Sequence, residues 1–214
     1  MTRGVRTTVI LCLVFVAIVL GMLIASMYRE PVLNEEQLRE RGTFVLPKPR
    51  ELAPFALTDQ RGQPFTNESL VGHWTLLYFG FTSCPDVCPV TLSVLAQVQR
   101  DLEALGRPTL AEGFHVVLVT VDPDKDDAAT LGTYVEGFSK SFLGVTGSQA
   151  AIAELATQVN VAFMKVPTGD GGYTVDHTGN IVIVNPRGHY HGFIRVPHEK
   201  GNIVAAYRSL AANW

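Results

Sequence analysis

The feature that most constrains the fold of this chain is a pair of cysteines, Cys84 and Cys88, separated by three residues. The pair follows the apolar run Trp74–Phe81, which is typical of a buried strand. Pro89 indicates where the next helix begins, because a proline is tolerated only within the first turn of a helix. The helix is therefore predicted to begin near residues 85–86, with Cys84 just before it and Cys88 in its first turn.

Two thiols at a strand-to-helix junction can exchange electrons or bind a soft metal ion. The positive end of the helix dipole predicts a lowered thiolate pKa for Cys88. Dithiol oxidoreductases usually separate their cysteines by two residues, and the third residue here leaves more room for an ion between the sulfurs. Thiolates suit Cu(I), and an added imidazole also suits Cu(II). A structural disulfide that closes a small loop is the remaining alternative.

His177 is the candidate for a third ligand, in the block Asp176–Asn180 at the boundary between a loop and a strand. In a thioredoxin-like sheet that boundary abuts the helix that carries the cysteines, and thioredoxins place a proline there. A histidine that only caps the loop is the alternative. Asp122 lies at the end of the apolar run Phe114–Val121. It is predicted either to orient His177 or Cys88 without itself binding the metal, or to cap the following turn.

The other histidines are weaker candidates. His189 and His191 alternate along one face of a predicted strand, where solvated side chains are expected and only a weak surface site could form. His115 begins a predicted core strand, and His73 and His198 lie in predicted turns.

Long apolar strands separated by helices indicate an α/β fold, in which a central mixed sheet is flanked by helices. With a cysteine pair after an early strand and a final hairpin covered by a helix, the arrangement predicted is thioredoxin-like. The predicted strands are 54–58, 63–65, 74–81, 114–121, 161–166, 180–185 and 190–196. The predicted helices are 90–105, 126–138, 148–159 and 200–212.

Residues 9–27 form an apolar run in which Ser26 is the one clearly polar side chain. As a helix this run spans about 28 Å, close to the thickness of a bilayer core. It predicts an uncleaved transmembrane anchor, with a cleaved signal peptide as the alternative. Residues 1–8 would then be a short cytoplasmic tail, residues 28–50 a charged, proline-containing tether, and residues 51–214 the globular domain outside the cytoplasm.

The charge of the chain bears on its partners. Apart from Arg3 and Arg6, the chain has 15 basic and 20 acidic residues. This acidic balance argues against a nucleic-acid partner.

Three blocks of the sequence resemble one family when taken together. They are Tyr78–Pro89 (YFGFTSCPDVCP), Val119–Pro123 (VTVDP) and Asp176–Thr178 (DHT). In this order after an apolar anchor, they resemble the Sco/SenC family, the membrane-anchored copper-binding proteins of cytochrome c oxidase assembly. The chain departs from the family's common pattern at residues 124–128, which read Asp-Lys-Asp-Asp-Ala.

The resemblance implies a thioredoxin-like fold and one copper ion, Cu(I) or Cu(II), bound by Cys84, Cys88 and His177. It also implies a domain on the periplasmic or equivalent side of the membrane. The implied partners are the copper-bearing subunit of cytochrome c oxidase and an upstream copper donor or thiol reductant.

Two functions follow as hypotheses. The first is a copper metallochaperone, in which copper binding orders the loop Thr168–Gly172 ahead of His177. The second is a thiol–disulfide oxidoreductase that reduces the copper-ligand cysteines of the oxidase, with Cys84 attacking and Cys88 resolving. A zinc site is a weaker possibility, because zinc prefers four ligands and the sequence offers three.

Overall fold

The computed structural model describes residues 3–27, 32–169 and 171–214. The chain divides into two compact units between Val32 and Leu33. The first unit contains helix α1 (Arg3–Met27), in which Gly4–Leu23 has a mean hydropathy of 2.5 and is long enough to cross a membrane. Its length and composition fit a membrane anchor, and the helix begins earlier than the predicted span 9–27.

The second unit contains the remaining helices and all ten strands of the described residues. The helices are α2 (Glu35–Glu40), α3 (Val87–Ala104), α4 (Pro108–Glu112), α5 (Ala128–Glu136), α6 (Gln149–Gln158) and α7 (Lys200–Ala212). A short 3₁₀ helix covers Asn67–Leu70. The strands are β1 (Thr43–Arg50), β2 (Ala56–Asp59), β3 (Pro64–Thr66), β4 (Trp74–Gly80), β5 (Phe114–Thr120), β6 (Leu143–Thr146), β7 (Phe163–Pro167), β8 (Tyr173–His177), β9 (Ile181–Val184) and β10 (Tyr190–Ile194).

Eight strands form one mixed sheet in the order β1-β10-β9-β4-β5-β6-β2-β3. At its centre β4 and β5 are parallel and joined through α3, whereas β9 is antiparallel to both β4 and β10. Strands β4 and β9 are buried along their whole length, as expected for a sheet covered on both faces. This order confirms the predicted α/β, thioredoxin-like arrangement.

The cysteine helix begins close to the predicted position. Helix α3 starts at Val87, directly after residues 85–86, so Cys88 and Pro89 both lie in its first turn. The missing N–H of Pro89 is harmless there, because the amides of a first turn have no partner within the helix. Cys84 precedes the helix by three residues and lies in the turn that follows β4.

The predicted tether over residues 28–50 is wrong for its second half. Within the described residues, α2 packs Leu38 against Leu33 and Ala206, and β1 pairs antiparallel with β10. The prolines that suggested a tether are tolerated because β1 is an edge strand, where a missing N–H costs no ladder hydrogen bond. The globular domain therefore begins well before residue 51.

Strands β7 and β8 form a separate two-stranded antiparallel ribbon. Phe163 pairs with His177 at one end of the ribbon, and Pro167 pairs with Tyr173 at the other. The sequence predicted only a short extended segment here. The ribbon carries His177, so its position decides where that imidazole lies.

Candidate metal centre

Cys88 occupies the second position of α3 and is fully buried, with 0% of its surface exposed. The hydroxyl of Tyr78, on the preceding strand β4, lies 3.9 Å from the Cys88 sulfur and donates toward it. Gly80 leaves room for this sulfur, since a Cβ added at Gly80 would lie 2.9 Å from Cys88 Sγ. The end of β4 is thus shaped to hold the Cys88 thiol.

His177, the last residue of β8, meets the same sulfur. Its Nε2 lies 3.8 Å from Cys88 Sγ, and its Nδ1 lies 3.2 Å from the carbonyl oxygen of Thr178. Because a carbonyl oxygen only accepts, Nδ1 carries the proton and the Nε2 lone pair faces the thiol. The rings of Tyr78 and Phe81 stand edge-on to the imidazole, each with its centroid 6.0 Å away.

The charge state of His177 suits a ligand. Burial lowers its pKa from the ordinary value, against smaller opposing effects of the Thr178 backbone and of Asp176. The imidazole is therefore neutral at neutral pH. A metal ion approaching Nε2 would displace no proton from His177.

Cys84 is the remaining one of the three ligands predicted from the sequence, and it is more exposed than Cys88. It is half-buried, and its amide donates to the carbonyl of Phe81 at 3.3 Å. Cys84 and Cys88 are both free thiols. Among the described residues, no three His, Cys, Asp or Glu side chains are already grouped closely enough to hold a metal ion. The structure therefore brings Cys88 and His177 into contact and leaves Cys84 beside them.

The predicted lowering of the Cys88 thiolate pKa is wrong. Burial raises the pKa of the Cys88 thiol to about 12, and the neighbouring Cys84 thiol adds to the rise. The helix N-terminus stabilises the thiolate. For a sulfur that water does not reach, however, desolvation destabilises the thiolate by more than the helix dipole stabilises it, so the pKa rises. Cys88 is therefore a neutral thiol in the metal-free protein at neutral pH.

Asp122 does not have the predicted contact with His177 or Cys88 in the described part of the chain. Its buried carboxylate accepts a hydrogen bond from the Tyr173 hydroxyl at 2.9 Å. Lys165 and Lys125 place their ammonium groups 3.5 and 3.8 Å from its two oxygens. Tyr173 is the first residue of β8 and His177 is the last, so any effect of Asp122 on the imidazole runs through this strand.

Asp126 is a residue of the site that the sequence reasoning missed. Its buried carboxylate accepts hydrogen bonds from the amide and the hydroxyl of Thr82, and from the hydroxyl of Thr120. These bonds connect the turn that carries Cys84 to the carboxyl end of β5. The available signal was the acidic run directly after a buried strand, which was noted only as a departure from the family's pattern.

His198 lies in the irregular segment between β10 and α7, in agreement with the predicted turn, and packs behind the site. Its Nδ1 is 3.0 Å from the Thr91 hydroxyl, and its ring centroid is 6.2 Å from that of Tyr78. Its Nε2 is buried without a hydrogen-bond partner among the described residues. Burial lowers the pKa of His198 to about 4. This histidine is part of the neutral packing around Tyr78.

The other histidines lie away from Cys88. His73 and His115 stack face to face with their centroids 3.6 Å apart, at the beginning of β4 and β5. His191 is half-buried against the edge of Trp74, so the expectation of a solvated strand residue is wrong for it. In the described ranges, these side chains belong to no group that could hold a metal ion.

The fold and the site together define a class: thioredoxin-like proteins in which a dithiol at the start of the first core helix faces a histidine. Comparison with known proteins then identifies the family. The SCO1/SenC family model matches residues 46–212, and the chain belongs to the SCO1/SenC family.

Comparison with individual relatives supports the same family assignment. The chain is 42% identical over 135 residues to the mitochondrial SCO2 homolog of Mus musculus, a match that covers 63% of this chain and 52% of that protein. The chain thus spans about half the length of this relative. The structure of Bradyrhizobium japonicum ScoI with copper bound is 36% identical, with a TM-score of 0.64 over 73% of this chain and 96% of that one.

A third relative is BsSco, whose structure is described with a disulfide switch and which is placed in the Sco family of cytochrome c oxidase assembly proteins. It is 25% identical to this chain, with a TM-score of 0.59, and the match covers 76% of this chain and 94% of that one.

Proposed function

We propose that this chain is a membrane-anchored copper metallochaperone. It binds one copper ion through Cys84, Cys88 and His177 and delivers the ion to the dinuclear copper centre of cytochrome c oxidase. The observation that carries the proposal is the approach of neutral His177 Nε2 to within 3.8 Å of Cys88 Sγ, with its lone pair toward the thiol. The copper-bound ScoI relative and the assembly role described for BsSco's family support it.

The donor set fits copper better than a harder ion. Two sulfur atoms and one imidazole nitrogen are soft and borderline ligands, which favour Cu(I) and accept Cu(II). The half-buried Cys84 thiol, beside Cys88, would supply the second sulfur. Three protein ligands also leave one side open, through which a receiving protein can take the ion by ligand exchange.

Cys88, His177 and the rings around the imidazole would have different roles when copper binds. The Cys88 thiol, with a pKa of about 12, must give up its proton when it coordinates a metal. His177 needs no deprotonation at Nε2, because the Thr178 carbonyl keeps the proton on Nδ1. Tyr78 and Phe81 pack their ring edges against the imidazole and limit its rotation.

The cellular setting is part of the proposal. Helix α1 anchors the chain as a single-pass protein through Gly4–Leu23, with its N-terminal end toward the cytoplasm and the globular domain in the periplasm or an equivalent compartment. The partners are the copper-bearing oxidase subunit as recipient, together with an upstream copper donor or a thiol reductant that keeps both cysteines reduced.

Copper titration of the reduced full chain in detergent tests the proposal. A Cys12→Ser background removes the third thiol of the chain, which lies in α1. We expect one copper ion per chain, and no tight binding after Cys84→Ser or Cys88→Ser. His177→Ala should weaken binding at least about tenfold and change the absorption spectrum, as expected for the loss of a ligand. His189→Ala is the matched control and should bind as wild type. Unchanged affinity and spectrum in His177→Ala would refute the ligand assignment.

A second candidate function is thiol–disulfide exchange. The arrangement that favours it is a half-buried Cys84 beside a fully buried Cys88, because the more accessible thiol can attack and the buried one can resolve. In one cycle the two thiols of this chain are oxidised to a disulfide, and a substrate disulfide is reduced to two thiols. Metal-free protein that reduces a model disulfide equally well with His177→Ala would favour this function over copper delivery.

A further inference from the structure

The ribbon formed by β7 and β8 lies outside the main sheet, so the ladder of that sheet does not hold His177 in place. At the His177 end, the ribbon is closed by two bonds. The amide of Thr178 donates to the Ala162 carbonyl at 2.8 Å, and the amide of Ala162 donates to the Thr178 hydroxyl at 3.1 Å. These bonds join the two chains of the ribbon to each other. The position of the ribbon relative to the cysteine helix must therefore depend on other contacts.

The far end of the ribbon makes such a contact. The Tyr173 hydroxyl donates a 2.9 Å hydrogen bond to Asp122 Oδ1. Asp122 lies just beyond the carboxyl end of β5, which is Thr120. Two ammonium groups lie over the Tyr173 ring, with Lys125 Nζ 3.7 Å and Lys165 Nζ 4.6 Å from its centroid. Lys165 also pairs with Asp124 at 2.5 Å. We name the Tyr173–Asp122 hydrogen bond the latch.

The latch involves a carboxylate that has few other partners. Asp122 is 1% exposed, and its Oδ2 has no hydrogen-bond partner among the described residues. A buried carboxylate that loses a hydrogen bond retains its full desolvation cost, so the bond from Tyr173 holds strongly. The ammonium groups of Lys165 and Lys125 lie 3.5 and 3.8 Å from the Asp122 carboxylate oxygens. They offset the negative charge of the carboxylate, but neither makes a short hydrogen bond to it.

We propose that Tyr173 is a positioning residue for His177, an inference that rests on the proposed copper site. Strand β8 is five residues long, so its two ends lie about 13 Å apart. The latch holds one end at the carboxyl edge of β5, and the other end then presents Nε2 to Cys88. Val175, at the middle of β8, is buried in the main core and holds the centre of the ribbon. Without the latch, the Tyr173 end can shift about this point, and the imidazole at the opposite end moves relative to the sulfur.

Tyr173→Phe removes the hydroxyl and retains the ring that contacts the two lysines. In the full chain in detergent, we expect copper affinity to fall about tenfold, the usual minimum for loss of a group that orients a ligand. The nitrogen splitting in the electron paramagnetic resonance spectrum of the Cu(II) form should weaken. In the metal-free protein, amide exchange at Thr174 and Asp176, which the register places opposite Val166 and Met164 in the hydrogen-bonded pairs of the ribbon, should accelerate about tenfold.

Tyr207→Phe is the matched control. The Tyr207 hydroxyl on α7 donates to the Leu110 carbonyl at 2.6 Å and contacts neither the ribbon nor the thiols among the described residues, so its removal should leave affinity, nitrogen splitting and exchange in the ribbon unchanged. Wild-type exchange together with wild-type nitrogen splitting in Tyr173→Phe would overturn the proposal. If the wild-type chain binds no copper, the proposed function fails, and the metal-free exchange measurement alone decides the role of Tyr173.

A second pair of variants tests the latch from its other side. Asp122→Asn keeps an oxygen that accepts the bond from Tyr173, whereas Asp122→Ala removes it. We expect Asp122→Asn to preserve exchange protection at Asp176 and Asp122→Ala to lose it. Equal protection in these two variants would also overturn the proposal, even if Tyr173→Phe should fail to fold.

Discussion

Asp126 accepts hydrogen bonds from both the backbone amide and the side-chain hydroxyl of Thr82, at 3.0 and 2.5 Å. Thr82 lies two residues before Cys84, in the turn between β4 and α3. A single buried carboxylate after β5 therefore holds the cysteine turn of a neighbouring strand. This contact relates the acidic run after β5 to the geometry of the thiols.

Asp126→Ala should loosen the cysteine turn, because the Thr82 amide and the Thr82 and Thr120 hydroxyls would lose their acceptor. We expect the free energy of unfolding to fall by about 2–3 kcal/mol, since the lost bonds are made to a charged group. Urea denaturation measures this. Asp101→Ala is the control, because its ion pair with Lys200 is exposed and should contribute under about 1 kcal/mol. Equal losses in the two variants would contradict the role of Asp126.

Gly80→Ala should disturb the candidate metal centre directly. The added Cβ would lie 2.9 Å from Cys88 Sγ and 3.2 Å from atoms of Leu118 and Tyr78, in a strand with no free space. We expect a loss of about 1–3 kcal/mol of stability from overpacking. Copper binding should weaken as well, because the sulfur must move relative to His177.

Gly201→Ala provides the comparison for Gly80→Ala. Gly201 is in α7, and a Cβ added there meets no atom within 4 Å. Alanine has the higher helix propensity, so this variant should gain up to about 1 kcal/mol and bind copper as wild type. Denaturation and copper titration of both variants check the pair. A Gly80→Ala protein with wild-type stability would show that the Cys88 pocket is looser than the structure indicates.

The two thiols should differ in reactivity in the metal-free protein. Cys88 is buried with a pKa of about 12, so at pH 7 it is neutral and shielded, whereas Cys84 is half-buried. Because the thiolate is the reactive form, iodoacetamide at pH 7 should label Cys84 well before Cys88. Mass spectrometry of peptides from the Cys12→Ser protein measures the order, and protein unfolded in urea should label both at similar rates. Labelling of Cys88 first would contradict the buried, neutral thiol.

The positions of Cys84 and Cys88 in the fold could be predicted from the sequence because their signals are local. Pro89 placed the beginning of the helix, and the apolar run before Cys84 placed the strand. The pKa of Cys88 could not be predicted in the same way. The dipole of a helix follows from local sequence, but the burial that outweighs it depends on Gly80, Tyr78 and His177, which pack around the sulfur from other elements.

The parts of the fold that were missed depend on pairing over long distances in the chain. Strand β1 contains two prolines and looked like a tether, and only its position at the edge of the sheet beside β10 makes those prolines acceptable. The contact that Asp122 makes could not be predicted for a related reason. Its partner, Tyr173, lies about fifty residues further along the chain, and no spacing rule connects the two.

His198 should make the stability of the protein depend on pH. Burial lowers its pKa in the folded state to about 4, from an ordinary value of 6.5. Between these values the unfolded chain binds the proton more readily, so the stabilisation is fully present above pH 6.5 and is lost as the pH falls toward 4. The contribution of His198 between pH 7 and pH 5 should be about 1 kcal/mol, after allowance for the part of the ring that water reaches.

His198→Asn isolates this contribution. Asparagine can retain a polar contact with the Thr91 hydroxyl, now 3.0 Å from His198 Nδ1, and it does not titrate in this range. Between pH 7 and pH 5 the variant should therefore lose about 1 kcal/mol less unfolding free energy than wild type. His73, whose pKa burial also lowers to about 4, is present in both proteins and cancels in the comparison. Urea denaturation at several pH values measures the difference, and parallel stability curves for the two proteins would show that His198 titrates normally in the folded state.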